Sequence, residues 1–217
     1  MKIKLATLIA TAGLALVATH AQADSLVDGS IEDGKAKAIT CTACHGQEGN
    51  SSNGLWPNIA GQSAPYIQDQ LRAFRASMVP AEGVTPRNDP LMSAQAMALS
   101  DQDIADLAVY YESLPAAAQA VANPDTVDLG EALYRGGDAE SGASACVACH
   151  GPTGRGNPAA KYPALQGQHA AYTAKQLNDY AAGTRETDGK TSIMRDIAVR
   201  LSKEDIEALS SYVQGLR

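Results

Sequence analysis

Two short segments of the sequence carry side chains that could do covalent and redox chemistry. Residues 41–45 and 146–150 each hold two cysteines three positions apart, with a histidine directly after the second. These segments contain all 4 cysteines of the 217-residue chain. In a Cys-x-x-Cys-His run, two thiols can form thioethers with the vinyl groups of one haem while the histidine ligates its iron. The spacing predicts two covalently bound haem c groups, attached through Cys41, Cys44, Cys146 and Cys149 and ligated by His45 and His150.

Three other uses of paired cysteines fit the sequence less well. A thioredoxin-like redox pair needs a βαβ pattern, and no strand-like runs flank these segments. A four-cysteine zinc site is disfavoured because 101 residues separate Cys44 from Cys146, far more than the spacer of a zinc ribbon. Two structural disulfides would not explain the histidine that follows each pair at the same offset. Haem attachment explains all of these features.

The first 23 residues have the order of segments that is typical of a secretory signal peptide. A short basic start at residues 1–4 precedes an apolar run over residues 5–17, and residues 21–23 form an Ala-x-Ala cleavage site. The apolar run is too short to span a bilayer comfortably, which disfavours an uncleaved membrane anchor. We expect cleavage after Ala23 and export of the rest of the chain.

The charge balance excludes one class of partner. The full chain has 17 basic and 24 acidic residues, a net charge of −7. Cleavage after Ala23 removes Lys2 and Lys4 but no acid, which leaves 15 basic residues against 24 acidic ones, or −9. A chain this negative is not expected to bind nucleic acid, because the phosphate backbone attracts basic surfaces.

The remainder of the chain is a tandem repeat, which indicates two domains rather than one. A Pro-x-x-x-Gly-Gln element follows each haem motif, at residues 57–62 and 163–168. A tyrosine and a Gln-Leu pair come next in both halves, as Tyr66 with residues 70–71 and Tyr172 with residues 176–177. The predicted layout is a signal peptide over residues 1–23, an N-terminal domain over 24–114, a linker over 115–126 and a C-terminal domain over 127–217.

Each half is predicted to be all-α, since strand signals are weak throughout. Ser100 and Ser202 are placed to cap helices whose third residues, Asp103 and Asp205, put negative charge in the first turn. Another helix is predicted near Pro65, with an apolar face formed by Ile67, Leu71, Phe74 and Met78, and its twin over His169 to Tyr180. Large core side chains are scarce, so a haem would supply much of the buried apolar surface in each half.

The ligand opposite each haem histidine can be narrowed by counting. After cleavage, His169 is the only histidine outside the haem motifs, and we expect it at a surface or a helix start. Met194 is the only methionine of the second half, and Met92 occupies the same repeat position in the first. Met92 and Met194 are therefore the predicted distal ligands, with Met97 as the competitor in the first half.

The two prolines of the repeated elements offer a further contact. Pro57 and Pro163 follow their haem histidines by 12 and 13 residues. At that position a backbone carbonyl could accept the imidazole's second N–H and fix the orientation of the ring. The alternative is a simple loop proline, and the sequence does not separate the two.

The tandem haem motifs, the paired Pro-x-x-x-Gly-Gln elements and the methionines before capped helices resemble the cytochrome c4 family. The resemblance implies two class I cytochrome c domains, each wrapped around one haem, in a periplasmic or membrane-associated electron carrier rather than an enzyme. It implies redox partners, with a membrane-bound terminal oxidase as the acceptor. Two alternatives stay open: the cytochrome subunit of a sulfide-oxidising flavocytochrome c, and a two-haem peroxidase, which would need an open iron position.

Overall fold

The computed structural model describes residues 25–217, so the predicted signal peptide lies outside the described residues. Within this part of the chain the regular structure is helical, and pairing of extended backbone is limited to two isolated bridges. No helix among residues 25–217 is long and apolar enough to cross a membrane. The all-α prediction is confirmed.

The two halves contain the same five α-helices in the same order. The first half has α1 to α5, at Ile31–Lys37, Thr42–His45, Ala64–Ala76, Pro90–Met97 and Asp101–Glu112. The second half has α6 to α10, at Val127–Gly136, Val147–His150, Ala170–Ala181, Ile193–Ala198 and Lys203–Gly215. Short 3-10 turns occupy Ala38–Cys41, Pro124–Thr126, Pro158–Ala160 and Gly189–Thr191.

The last helix of each half packs against the first and the third helix of that half. Helix α5 contacts α1 and α3, and α10 makes the equivalent contacts with α6 and α8. The buried face of α5 includes Leu107 and Tyr111, and that of α10 includes Leu209 and Val213. Cys41 and Cys146 pack against these two apolar clusters, so each haem motif lies at the edge of a small core.

Both of these helices begin at the predicted capping serines, and the structure adds a reciprocal bond from each aspartate, which completes a capping box. The Ser100 hydroxyl accepts the Asp103 backbone N–H at 3.1 Å, and the Asp103 carboxylate accepts the Ser100 N–H at 2.9 Å. Ser202 and Asp205 repeat the arrangement at 3.1 and 2.8 Å. Two N–H groups that the helix itself cannot satisfy are paired at each start.

Replacing a capping serine should lower stability measurably. Ser202→Ala removes the acceptor for the Asp205 N–H, and we expect the free energy of unfolding to fall by about 1 kcal/mol. Denaturant unfolding monitored by circular dichroism measures this loss. Ser144→Ala, at an exposed serine outside any helix, is the matched control and should change stability little. Equal effects of the two substitutions would contradict the capping role.

The helix predicted near Pro65 is present, but it is shorter than its apolar spacing suggests. Helix α3 ends at Ala76, and Met78 lies beyond it with 53% of its surface exposed. The predicted place of Met78 on the buried face was therefore wrong. Beyond Ala76 the backbone N–H groups of Met78 and Val79 both donate to the Arg75 carbonyl, and the chain then enters the loop toward Pro90.

The segment that connects the two halves passes directly against Gly61 and Gly167, the glycines of the two repeated elements. No α-helix lies between Glu112 and Val127. A Cβ on Gly167 would come within 2.0 Å of the Ala117 carbonyl oxygen, and a Cβ on Gly61 within 2.9 Å of the Ala116 backbone nitrogen. Both glycines also have positive φ angles, of 66° and 69°. Only glycine allows the connecting backbone to approach this closely.

Candidate haem sites

The two Cys-x-x-Cys-His motifs adopt the same local structure. Each forms a single helical turn, α2 or α7, that ends at the histidine and is followed by a glycine with a positive φ angle. No disulfide joins any two of the four cysteines. No cluster of three or more His, Cys, Asp or Glu side chains that could hold a metal ion occurs in residues 25–217.

The haem-motif histidines are buried, and the carbonyls of the two repeated prolines accept from them. His45 and His150 each expose 6% of their surface. Nδ1 of His45 lies 2.9 Å from the Pro57 carbonyl oxygen, and Nδ1 of His150 lies 2.9 Å from that of Pro163. A carbonyl oxygen can only accept, so Nδ1 carries the proton and Nε2 keeps its lone pair. This is the form of imidazole that can ligate a metal through Nε2.

The surroundings also favour the neutral imidazole. Burial lowers the pKa of His45 and His150, and the hydrogen bond to the proline carbonyl offsets part of that effect. Burial disfavours the charged ring because it takes the charge out of water. A neutral ring with a fixed tautomer needs no proton loss or rotation before it binds iron.

The two candidate distal ligands lie near the starts of equivalent helices. Met92 is in the first turn of α4, where the Asp89 carboxylate accepts the backbone N–H groups of Leu91 and Met92, both at 3.0 Å. Met194 is the second residue of α9. Both side chains are half-buried, whereas the competitor Met97 is 50% exposed at the end of α4. Ligation by Met92 and Met194 stays a prediction.

A cationic cluster that the sequence did not reveal lies between the two halves. Arg185, only 5% exposed, donates to the Tyr66 hydroxyl at 2.8 Å and to the side-chain oxygens of Gln70 and Gln176 at 3.0 and 2.7 Å. Arg87 binds the same two glutamines, at 2.8 and 2.6 Å, together with the Tyr172 hydroxyl at 3.3 Å. The tyrosines and glutamines are the repeat-matched pairs of helices α3 and α8.

The cluster has the chemistry to hold a carboxylate. Neither Arg87 nor Arg185 forms an ion pair with a carboxylate among residues 25–217. Buried cations are normally paired, and the guanidinium group favours carboxylates and phosphates. The propionates of the haems supply carboxylates of this kind. Arg87, Arg185, Tyr66 and Tyr172 carry the N–H and O–H donors that would suit such a propionate.

His169 lies at a helix start, one of the two positions expected, and it is buried there. It precedes α8 and is 9% exposed. Its Nε2 donates to the Ser51 carbonyl at 2.9 Å, and its Nδ1 faces the Gln119 side-chain nitrogen at 3.4 Å. The ring is buried because it bridges the two halves of the protein. Both ring nitrogens are therefore engaged with other groups of the protein.

The comparison with protein families defines the class of this fold and site. The family model described as Cytochrome c matches residues 31–115 and again residues 127–217. The chain thus consists of two tandem cytochrome c domains, in agreement with the repeated helices and the two motifs. Two such domains with two attachment motifs carry two covalently bound haem c groups.

Individual relatives narrow the assignment. Cytochrome c4 of Azotobacter vinelandii is 45% identical over 98% of both chains. The crystal structure of reduced recombinant cytochrome c4 from Pseudomonas stutzeri matches with a TM-score of 0.83 and 45% identity, covering 88% of this chain and 100% of that one. The thiosulfate dehydrogenase electron acceptor of Thiomonas intermedia is 35% identical over 82% of this chain and 78% of its own length. The chain belongs to the cytochrome c4 family and is an electron carrier, not an enzyme.

Proposed function

We propose that this protein is exported to the periplasm and carries single electrons through a respiratory chain toward a membrane-bound terminal oxidase. The observation that supports this most strongly is the pair of equivalent sites. Each has a buried imidazole with Nε2 available and a methionine at the same repeat position. Two matched one-electron sites in one chain suit transfer between partners rather than substrate chemistry.

In this proposal His45 and Met92 ligate one iron and His150 and Met194 the other. When bound, each haem supplies an iron that gains and releases one electron. The proline carbonyls hold the imidazoles in one orientation, and the Asp89 cap fixes the backbone of Met92. Ligands that stay in place in both oxidation states minimise rearrangement during transfer, which is the property a carrier needs.

Periplasmic location is supported by the signal-like residues 1–23 and by the haem chemistry, because attachment of this kind is completed outside the cytoplasm in bacterial cytochromes c. The negative charge of the predicted mature chain favours docking to basic surfaces of redox partners. Any association with the membrane would be peripheral for residues 25–217, in which no spanning helix occurs.

A second candidate function is electron transfer from the oxidation of reduced sulfur compounds. The Thiomonas relative, whose name states that it accepts electrons from thiosulfate dehydrogenase, favours this candidate. The flavocytochrome c alternative belongs to the same area of chemistry and differs in having a flavoprotein partner. Reduction of the purified protein by thiosulfate dehydrogenase, or copurification with a flavoprotein, would support these candidates. Oxidation of the reduced protein by membranes containing a terminal oxidase supports the respiratory role.

Carbon monoxide separates a carrier from a peroxidase. If His45, Met92, His150 and Met194 occupy both axial positions of both irons, the reduced protein should not bind carbon monoxide at neutral pH. Visible spectra recorded before and after addition of the gas test this. A chemically unfolded sample, in which the methionines are released, is the positive control. Rapid binding by the native protein would contradict the carrier assignment and favour an open iron position.

A further inference from the structure

The glutamines of the two Pro-x-x-x-Gly-Gln elements reach across to the opposite half. The Gln168 side chain accepts the Asn58 backbone N–H at 2.9 Å and donates to the Asn58 carbonyl at 2.8 Å. The Gln62 side chain does the same to Ala164, at 2.9 Å in both directions. Each glutamine side chain thus forms two hydrogen bonds with the backbone of one residue in the other domain.

The two residues bound in this way, Asn58 and Ala164, directly follow the prolines whose carbonyls accept from His45 and His150. The Pro57 carbonyl and the Asn58 N–H belong to one peptide group, so this group accepts from His45 on one side and donates to Gln168 on the other. The Pro163–Ala164 peptide links His150 to Gln62 in the same way. All four of these hydrogen bonds are 2.9 Å long.

We propose that each glutamine sets the reduction potential of the haem in the opposite domain: Gln168 acts on the N-terminal haem through Pro57 and His45, and Gln62 acts on the C-terminal haem through Pro163 and His150. The proposal rests on the ligation of iron by His45 and His150 put forward above. In this scheme both glutamines are positioning residues, since neither touches a haem ligand directly.

The direction of the effect follows from the polarity of the peptide group. When the glutamine oxygen accepts the peptide N–H, it polarises the peptide group and makes the carbonyl oxygen of that group a stronger acceptor. Each such bond strengthens the next hydrogen bond by roughly 10–30%. A stronger acceptor at Nδ1–H raises the basicity of the imidazole. A more basic ligand favours ferric over ferrous iron, so each glutamine lowers the potential of the opposite haem.

Both glutamines are held in place before they act. The Gln168 oxygen also accepts the backbone N–H of His169 at 3.0 Å, and the Gln62 oxygen accepts that of Ser63 at 3.0 Å. The first-half peptide is more strongly tied, because the Asn58 side chain also donates to the Gly167 carbonyl at 2.8 Å. Ala164 has no side-chain amide for an equivalent bond. Loss of Gln168 should therefore displace the Pro57–Asn58 peptide less than loss of Gln62 displaces the Pro163–Ala164 peptide.

The test uses Gln168→Leu and Gln62→Leu in the full-length protein with both haems attached. Redox titration followed by NMR reports each haem separately, once its signals are assigned through the backbone of residues 41–45 or 146–150. We expect Gln168→Leu to raise the potential of the N-terminal haem more than that of the C-terminal haem. Gln62→Leu should produce the reverse. The ¹⁵N shift of Nδ1 should change only in the histidine of the opposite domain.

Gln214→Leu is the matched control. The Gln214 side chain also forms two hydrogen bonds with the backbone: it accepts from the Ala170 N–H at 2.9 Å and donates to the Ala120 carbonyl at 3.0 Å. Neither bond involves a peptide group that accepts from a haem-motif histidine. It should leave both potentials unchanged. The proposal would be overturned if the glutamine variants did not change the reduction potentials, changed those of both haems equally, or changed that of the haem in the glutamine's own domain more. If one variant does not fold, the reciprocal one still decides the outcome.

The same NMR experiment separates failure of the proposal from failure of the ligation on which it rests. In the oxidised wild-type protein, iron-bound imidazoles give strongly displaced ¹⁵N resonances. Displaced resonances of His45 and His150 that do not respond to the glutamine variants would reject the glutamine effect alone. Undisplaced resonances in the wild-type protein would reject the ligation itself.

Discussion

Met194→Ala should lower the reduction potential of the C-terminal haem by on the order of 0.1 V or more, within the range of about 0.8 V over which axial ligands set haem potentials. A thioether ligand favours ferrous iron, so its removal stabilises the ferric state. Potentiometric titration should show one wave displaced and the other nearly unchanged. The reduced variant should also bind carbon monoxide at one haem, in contrast to the parent protein.

Met97→Ala is the control for this substitution. Met97 is half-exposed at the end of α4 and has no repeat counterpart, so both waves should stay in place. Met92→Ala should reproduce the effect of Met194→Ala at the N-terminal haem. A shift caused by Met97→Ala but not by Met92→Ala would show that the competitor is the ligand of that haem.

Replacing both cysteines of one motif should remove one haem and unfold the half around it. In the variant Cys146→Ser with Cys149→Ser, no thioether can form at α7. The core of this half is a small cluster that Cys146 itself packs against. Without a haem it buries too little apolar surface to offset the entropy of ordering about 90 residues. We expect haem per protein to fall from two to one, and roughly half of the helical signal to be lost.

Haem content by a pyridine haemochrome assay and helix content by circular dichroism measure both parts of this expectation. Cys41→Ser with Cys44→Ser is the mirror variant and should act on the N-terminal half. The single haem that remains should keep its own histidine and methionine signals. A variant with one haem, full helix content and cooperative unfolding of both halves would show that the haem is not needed for folding.

Features set by local sequence were predictable. The serine caps at Ser100 and Ser202 depend on residues only three positions apart. The contact of the Pro57 and Pro163 carbonyls with the histidines was one of two open interpretations of the spacing, and the structure decides between them. The repeat predicted that helices α3 and α5 recur as α8 and α10, because matched residues recur with nearly constant offset. Helix ends were less predictable: Met78 continues the apolar spacing of α3 but lies beyond its last turn.

Contacts between the halves were not predictable from the repeat. Arg87 and Arg185 meet the same glutamines, yet they are 98 positions apart, whereas Gln70 and Gln176 are 106 apart. The loops that carry the arginines differ in length, so a repeat alignment does not pair them. Gln62 and Gln168 were visible as a motif, but their reach into the opposite domain depends on how the halves pack. The same packing buries His169.

The visible spectrum of the oxidised protein tests the central claim, ligation of two irons by two matched His/Met pairs, most directly. Methionine bound to ferric haem gives a weak charge-transfer band, and its intensity can be measured against the haem content of the same sample. An intensity that corresponds to two such haems per chain is expected, falling to one in Met194→Ala. A band that corresponds to one haem or none in the native protein at neutral pH would contradict the assignment.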